Sequence, residues 1–143
     1  MITVILKSNL NKPSNDAETL TMVSHGITYR LAVRSRAWRP PTDIYETEDR
    51  FIVVVEVAGM RESDFVVSLD RNLLTISGVR PNVFTDERRA FHQIEIPFGE
   101  FSTAVELPLP VDSDKVTATY ENGFLRIDLP KQKPKPIEIL TQD

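Results

Sequence analysis

Four acidic side chains near one turn are the residues of this sequence that come closest to a pattern for acid–base chemistry. Asp43, Glu46, Glu48 and Asp49 lie close together in the chain, and paired carboxylates can act as general acid and general base. Charged side chains around a turn, however, are usually solvated. The placement therefore favours a solvated hairpin face, and no catalytic residue is predicted.

The sequence is poor in residues for metal or nucleotide chemistry. It has no cysteine and two histidines, His25 and His92, which are widely separated, so no metal site is predicted. His92 could respond to pH, but a hydrogen-bonded or solvated strand residue is the simpler interpretation. The chain has no phosphate-binding glycine motif, no nucleophile motif and no calcium loop. We therefore predict a protein that is not an enzyme and uses no cofactor.

The composition is that of an ordinary globular protein. The 143 residues suffice for one domain with additional tails, 41% of them are hydrophobic, and the net charge is −4. Such a charge gives no general attraction to nucleic acid or to anionic membranes. The opening residues do not fit a signal peptide, and no apolar run approaches about 18 residues. We expect a cytoplasmic protein with no nucleic-acid partner and no membrane span.

Residues 42–129 carry β-strand patterns almost throughout. Alternating apolar residues in 51–57 share one face, while Ile52 and Val54 make the other face apolar too, so we expect cover from a second sheet or another subunit. Further strands are predicted over 65–70, 73–78, 101–107, 116–120 and 124–129. Asn122-Gly123 separates the last two and is a strong hairpin signal. This pattern predicts an all-β, immunoglobulin-like antiparallel β-sandwich.

The two ends of the chain differ from this centre. Residues 1–40 mix short apolar pieces with Ser, Asn and Thr, which predicts a flexible, partly disordered arm, and Pro40-Pro41 then marks a boundary. The sandwich takes residues 41–130. Residues 131–143 form a tail, and its Pro- and Lys-rich beginning favours an extended polyproline conformation. Lys131, Lys133 and Lys135 are interpreted as a solubilising spacer rather than as contacts to RNA or lipid.

The tail carries the motif Ile137-Glu138-Ile139. An extended chain places both isoleucines on one face, where they can bind an exposed sheet edge or groove. The eight steps from Leu129 to Ile137 span about 25 Å in a polyproline conformation, which favours a neighbouring domain over the chain's own.

These segments resemble the small heat-shock proteins of bacterial and plant type, whose shared unit is the α-crystallin domain. The resemblance covers residues 41–140 and rests on Pro41-Thr42-Asp43-Ile44-Tyr45-Glu46, Val53-Val54-Val55-Glu56-Val57-Ala58-Gly59-Met60, Leu74-Thr75-Ile76-Ser77-Gly78, the A-x-x-x-x-G-x-L signature from Ala118 to Leu125, and the I-x-I motif of the tail. One departure is that Thr103 and Ala104 stand where members commonly carry arginines. Salt bridges that some members form at the dimer interface are therefore not expected here.

The resemblance implies an ATP-independent holdase chaperone, working as homodimers that assemble into a larger homo-oligomer and bind unfolded client proteins. It places a groove for the tail motif between strands 65–70 and 116–120, lined by Val67, Leu69, Val116 and Ala118. It also implies a strand that pairs with the partner subunit in a dimer, formed by Ala90, Phe91, His92, Gln93 and Ile94.

Client binding needs exposed apolar surface, and the arm supplies the candidates Leu6, Met22, Val23, Ile27, Leu31 and Trp38. Two other functions remain open: a monomeric co-chaperone adaptor of the CS-domain type, and a carbohydrate-binding β-sandwich. The basic tail with its Ile-x-Ile favours the oligomeric chaperone over the adaptor. A single tryptophan, outside the predicted sheets, is unlike a sugar-binding platform.

Overall fold

The computed structural model describes residues 2–6, 18–24, 27–33, 37–82 and 87–140. In this part of the chain ten β-strands are joined by turns, loops and two single-turn 3-10 helices, Glu62–Asp64 and Ser113–Lys115. The strands are β1 Val4–Leu6, β2 Glu18–Ser24, β3 Ile27–Val33, β4 Thr42–Glu46, β5 Arg50–Glu56, β6 Phe65–Asp70, β7 Leu73–Arg80, β8 Gly99–Glu106, β9 Thr117–Glu121 and β10 Phe124–Pro130.

Two four-stranded sheets make the sandwich. Sheet one has the strand order β1-β6-β7-β8, and sheet two has the order β4-β5-β10-β9. Neighbouring strands are antiparallel except for β1, which pairs with β6 in parallel. Strands β2 and β3 form a separate antiparallel pair. The all-β sandwich predicted from the sequence is confirmed.

The core lies between the inward faces of the two sheets, as period-two alternation requires. In β6 and β10 every second side chain is buried. The buried apolar side chains of the paired sheets include Phe51, Val53, Val55, Val67, Leu69, Leu74, Ile76, Phe101, Val105, Leu125, Ile127 and Leu129. This burial of alternating side chains fixes the register of each strand, because a shift by one residue would expose the whole apolar face.

The predicted hairpin between the last two strands is confirmed. Asn122 and Gly123 have φ angles of 51° and 83°, and Glu121 pairs with Phe124 across the turn. Two consecutive positive φ angles are the signature of the tight turn whose twist matches paired strands. The sequence therefore determines this turn locally.

The outer face of β5 contains a buried apolar residue. Ile52 is buried, yet its neighbours in register are Tyr45 on β4 and Asp128 on β10, side chains of its own sheet. The aliphatic and aromatic parts of polar side chains can lie over apolar surface on such a face. Cover of this face by another subunit stays a prediction.

The described residues of the arm contain three strands. Its described residues include β1, β2 and β3, and the main chain of Trp38 makes a parallel bridge to Phe101 on β8. The amide of Trp38 donates to the carbonyl of Glu100, and the amide of Ser102 donates to the carbonyl of Trp38. The arm thus adds backbone hydrogen bonds to both edges of sheet one.

Candidate assembly surfaces

The groove predicted to receive the tail motif lies between β6 of sheet one and β9, an edge strand of sheet two. Val67 and Leu69 on β6 are buried, whereas Val116, just before β9, and Ala118 on β9 are half-buried and pack against the core. The rings of Phe65 and Tyr120 are 4.9 Å apart and bring the two strands together. We call the space between β6 and β9 the β6–β9 groove; its role as receptor for the tail stays a prediction.

The β6 edge of this groove is occupied by β1. Val4, Ile5 and Leu6 stand beside Val67, Ser68 and Leu69, and Ile2 is only 7% exposed within the core. Sequence reasoning missed this strand. The signal was the alternation of Ile2, Val4 and Leu6, which is too short to separate from chance.

The tail is fixed at its beginning and exposed at its end. The amide of Lys131 donates to the carbonyl of Asp49 at 2.8 Å, and the amide of Gln132 donates to the carbonyl of Pro110 at 3.1 Å. Beyond these bonds residues 133–140 have no regular structure, and Ile137 and Ile139 are 89% and 87% exposed. The two isoleucines are therefore not docked on their own domain.

Lys131 differs from the solubilising role expected of it. Its Nζ lies 2.6 Å from a carboxylate oxygen of Glu46, donates to the carbonyl of Thr47 at 2.9 Å, and stands 5.3 Å from the centre of the Phe51 ring. With the backbone bonds above, this side chain ties the start of the tail to the β4–β5 turn. The free spacer is thus the five steps from Gln132 to Ile137, about 16 Å rather than about 25 Å.

The segment predicted to exchange between subunits is not a strand within this chain. Residues 87–98 have no regular secondary structure, and Phe91, Ile94 and Ile96 are more than half exposed. The strand expected over Ala90, Phe91, His92, Gln93 and Ile94 has no neighbouring strand to bond to here. Its pairing with a partner subunit stays a prediction.

Arg80 holds the end of this segment. Its guanidinium donates to the carbonyl of Pro97 and lies 4.3 Å from the centre of the Trp38 ring and 5.5 Å from that of Phe98. Trp38 in turn packs on Phe101, with ring centres 5.4 Å apart. This cluster fixes where residues 87–97 leave the sandwich.

Edge strand β4 of sheet two offers a neighbour for a strand from another chain. β5 pairs with β4 on one side, and the other side of β4 has no strand among the described residues. Ile44 and Tyr45 are 49% and 45% exposed. An unprotected edge with exposed apolar side chains is a typical site of strand pairing between chains.

The predicted client-binding residues fall in two groups. Leu6 belongs to β1, Met22 and Val23 to β2, and Ile27 and Leu31 to β3, and their side chains lie outside the described part of the structure. Trp38 is the exception, since its ring packs between Phe101 and Arg80. The indole is half-buried, and this packing stabilises it on the sandwich.

The departure from the family pattern at Thr103 and Ala104 has a structural counterpart. Thr103 on β8 is 2% exposed, and Arg39 donates from Nε to its hydroxyl at 3.3 Å. The neighbouring Ala104 is exposed on the opposite face. An arginine therefore reaches this strand from the segment before β4 rather than from β8 itself.

The four carboxylates are spread around a hairpin. Asp43 and Glu46 lie on β4, and Glu48 and Asp49 in the turn before β5; all four are exposed. Glu46 pairs with Lys131, and Asp49 accepts hydrogen bonds from Thr47 and Arg50. No group of three or more metal-ligating side chains occurs in the described ranges. These charges belong to a solvated hairpin, as predicted.

Charges on the outer face of sheet two form a connected network. Arg126 donates twice to Asp128, at 2.9 and 3.0 Å, and once to the hydroxyl of Tyr45 at 3.2 Å. Arg50 bonds to Asp49 and stands 3.6 Å from Asp128. The hydrogen bond from Arg126 lowers the pKa of Asp128, and those from Arg50 and Thr47 lower the pKa of Asp49 to about 2.

This network predicts acid sensitivity. Because both folded-state pKa values lie below the unfolded values, the stabilisation is complete above about pH 4 and is lost as the pH falls toward about 2. We expect the melting temperature, measured by circular dichroism, to fall across this range. The fall should be smaller in Asp49→Asn/Asp128→Asn, while Asp43→Asn, outside the network, should follow the parent chain. Parallel curves for parent and double variant would contradict this prediction.

Comparison with known proteins identifies the family of this chain. Residues 43–141 match the Hsp20/alpha crystallin family; the match covers most of the chain and both sheets except β1 and the first residue of β4. The chain belongs to this family. Its members are small heat-shock proteins, so membership implies a chaperone rather than an enzyme. The family resemblance predicted from the sequence is confirmed. The match favours this family over the adaptor and the carbohydrate-binding proteins.

Individual proteins that are similar to this chain support the family assignment. Small heat shock protein C2 of Rickettsia felis is 32% identical over 103 residues, covering 70% of this chain and 67% of that protein. The solved structure of heat shock protein 16.0 from Schizosaccharomyces pombe is 31% identical, with a TM-score of 0.63 over 76% of this chain and 80% of the other. A small heat-shock protein from Xylella fastidiosa has a TM-score of 0.64 at 30% identity, over 74% and 98%. Within the described ranges, no helix is long and apolar enough to cross a membrane.

Proposed function

We propose that this chain is an ATP-independent holdase that binds partly unfolded proteins and prevents their aggregation, working as dimers assembled into a larger homo-oligomer. The observation that carries the proposal is the tail. Ile137 and Ile139 are almost fully exposed at the end of a short spacer, although isoleucine is among the residues most often buried. Two such side chains at alternate positions are a ligand for a sheet edge or groove on a neighbouring subunit.

The strength of one tail contact can be bounded from burial. Fully burying one isoleucine gives about 1.5–3 kcal/mol, so the pair offers about 3–6 kcal/mol before costs. Ordering the tail and losing translational freedom remove much of this, and about 4 kcal/mol net corresponds to a millimolar contact. A single tail therefore binds weakly and exchanges. Several tails on linked subunits gain avidity, which gives a large assembly that still releases subunits.

Dimers are proposed to form through the exposed segment 87–98. This segment exposes the apolar side chains Phe91, Ile94 and Ile96. It has no strand beside it in the described chain, and neither does the outer side of β4. Pairing the segment of one subunit with β4 of the other satisfies both, and twofold symmetry makes the exchange reciprocal. Oligomers are typical of the family, and the relative from Xylella fastidiosa is described as having a distinct high order structure.

Clients are proposed to bind to apolar side chains of the arm, namely Leu6, Met22, Val23, Ile27 and Leu31; Trp38 is left out because it is packed. Flexible apolar side chains suit partners of varied sequence. The cytoplasm stays the predicted place of action.

The holdase activity is tested by aggregation of a heat-unfolded reporter enzyme. At equal subunit concentration we expect this chain to suppress most of the turbidity, with the same result in the presence and absence of ATP. A folded globular protein at the same mass concentration serves as the control and should leave aggregation unchanged. Suppression that appears only when an ATP-dependent chaperone is added would contradict the proposal and favour an adaptor.

A further inference from the structure

Strand β1 covers the place where the proposed function requires the tail of another subunit to bind. Its backbone pairs with β6 from Val4–Val67 to Leu6–Leu69, and this is the outer edge of sheet one. Ile2 is 7% exposed and Val4 is half-buried, and both pack against the core cluster that contains Val67 and Leu69. Ile5, between the inward positions, is 45% exposed.

The two ends of the chain present similar ligands. Ile2 and Val4 are branched apolar residues at alternate positions, as are Ile137 and Ile139. In an extended chain each pair points to one face. The two pairs differ in burial: Ile2 and Val4 pack against the core, whereas Ile137 and Ile139 are in solvent. The backbone groups on the free side of an edge strand can pair with one strand at a time.

We propose that β1 is an intramolecular competitor of the tail: it closes the β6–β9 groove in the isolated subunit, and the tail of a second copy binds there only after β1 has left. This inference rests on the proposed tail contact. The apparent affinity of the tail is then reduced by the fraction of subunits in the open form, about tenfold if one subunit in ten is open. The coupling is reciprocal, so a docked tail also keeps β1 and the arm that follows it released.

A reversible disulfide tests the competition within one protein. The chain has no cysteine, and Ile5 and Ser68 are neighbours in register on the outward side of the β1–β6 pair. Adjacent strands are about 4.8 Å apart, within the range of Cα separations that a disulfide accepts. Oxidised Ile5→Cys/Ser68→Cys therefore fixes β1 in place, and a reductant frees it.

The binding measurement uses the full chain with Ile137→Ala/Ile139→Ala, so that its own tails do not compete. The probe is a fluorescent peptide of residues 133–143, followed by anisotropy. We expect the oxidised protein to bind this peptide at least about tenfold more weakly than the reduced protein. A peptide in which both isoleucines are alanine should bind neither form.

A second pair of variants opens the groove without a disulfide. Ile2→Asp removes a buried contact of β1 and should strengthen peptide binding by about tenfold, whereas Ile5→Asp, the same change at an exposed position of β1, should alter it less than about threefold. Circular dichroism checks that both variants keep the sandwich. Equal affinity in the oxidised, reduced and Ile2→Asp proteins would overturn the competition and leave the tail contact intact. No peptide binding to any form, including Ile2→Asp, would overturn the tail contact in this groove and the competition with it.

Discussion

Replacing Ile137 and Ile139 by alanine is expected to convert a large oligomer into dimers. The substitution removes nearly all of the apolar surface of the tail motif, and with it most of the about 3–6 kcal/mol that burial of the two side chains offers. The dimer contact, which is proposed to use residues 87–98 and β4, does not involve the tail. Solution mass measured by light scattering should therefore fall from several times that of a dimer to about twice 16.3 kDa.

The matched control is Glu138→Ala, which changes the residue between the two isoleucines and leaves the apolar face of the tail unaltered. This variant should keep the mass of the parent chain. Two outcomes would contradict the prediction. An unchanged oligomer in the double variant would mean that other contacts hold the assembly. If the parent chain has the mass of a monomer, the proposed tail contact is wrong, and the adaptor function becomes the alternative.

Gly78→Ala is expected to destabilise the sandwich strongly, because the added methyl group overpacks the core. Gly78 lies on β7 opposite Phe101, and a Cβ at this position would stand 2.6 Å from the carbonyl oxygen of Asp64 and 2.7 Å from Cζ of Phe101. Both contacts are far below van der Waals separation, and one of them is backbone, which cannot move aside as a flexible side chain could. Overpacking of this kind costs about 3 kcal/mol.

Urea unfolding at a fixed protein concentration measures this cost, because the midpoint of an oligomer depends on concentration. Ser77→Ala is the matched control, since it changes the preceding residue of the same strand without adding volume, and its effect should stay within about 0.5 kcal/mol. A Gly78→Ala midpoint equal to that of Ser77→Ala would show that β7 and the 3-10 turn at Asp64 can separate freely. That result would contradict the close approach described here.

Most of the fold could be predicted because it depends on local patterns. Alternation over 51–57 predicted β5, and the structure buries Phe51, Val53 and Val55 on one face. The turn at Asn122-Gly123 needed only two residues with positive φ angles to join β9 to β10. The bounds of β6 were predicted without error, because turn residues follow Asp70 directly.

The contacts of the arm could not be predicted, because they join residues far apart in the sequence. Ile2 and Val4 reach the core through β6, more than sixty positions away, and Trp38 pairs with Phe101 at a similar distance. A three-residue strand carries too little periodicity to be recognised. The ring of Trp38 is held by Phe101 and Arg80, which no local pattern connects to it. The same is true of Lys131, whose partners lie on the β4–β5 turn.

The sequence by itself determined the sandwich, the family and the tail motif, because each depends on a local pattern. These patterns are the alternation of apolar residues, the residues of the turns, and a short apolar motif after a Pro-rich spacer. Only the tertiary structure decided which edges of the sandwich are open. Edge strands are defined by what lies beside them, and that depends on chain segments folding back over long separations. It is this placement that puts β1 on β6, leaves the outer side of β4 without a strand in the described chain, and holds Ile137 and Ile139 in solvent.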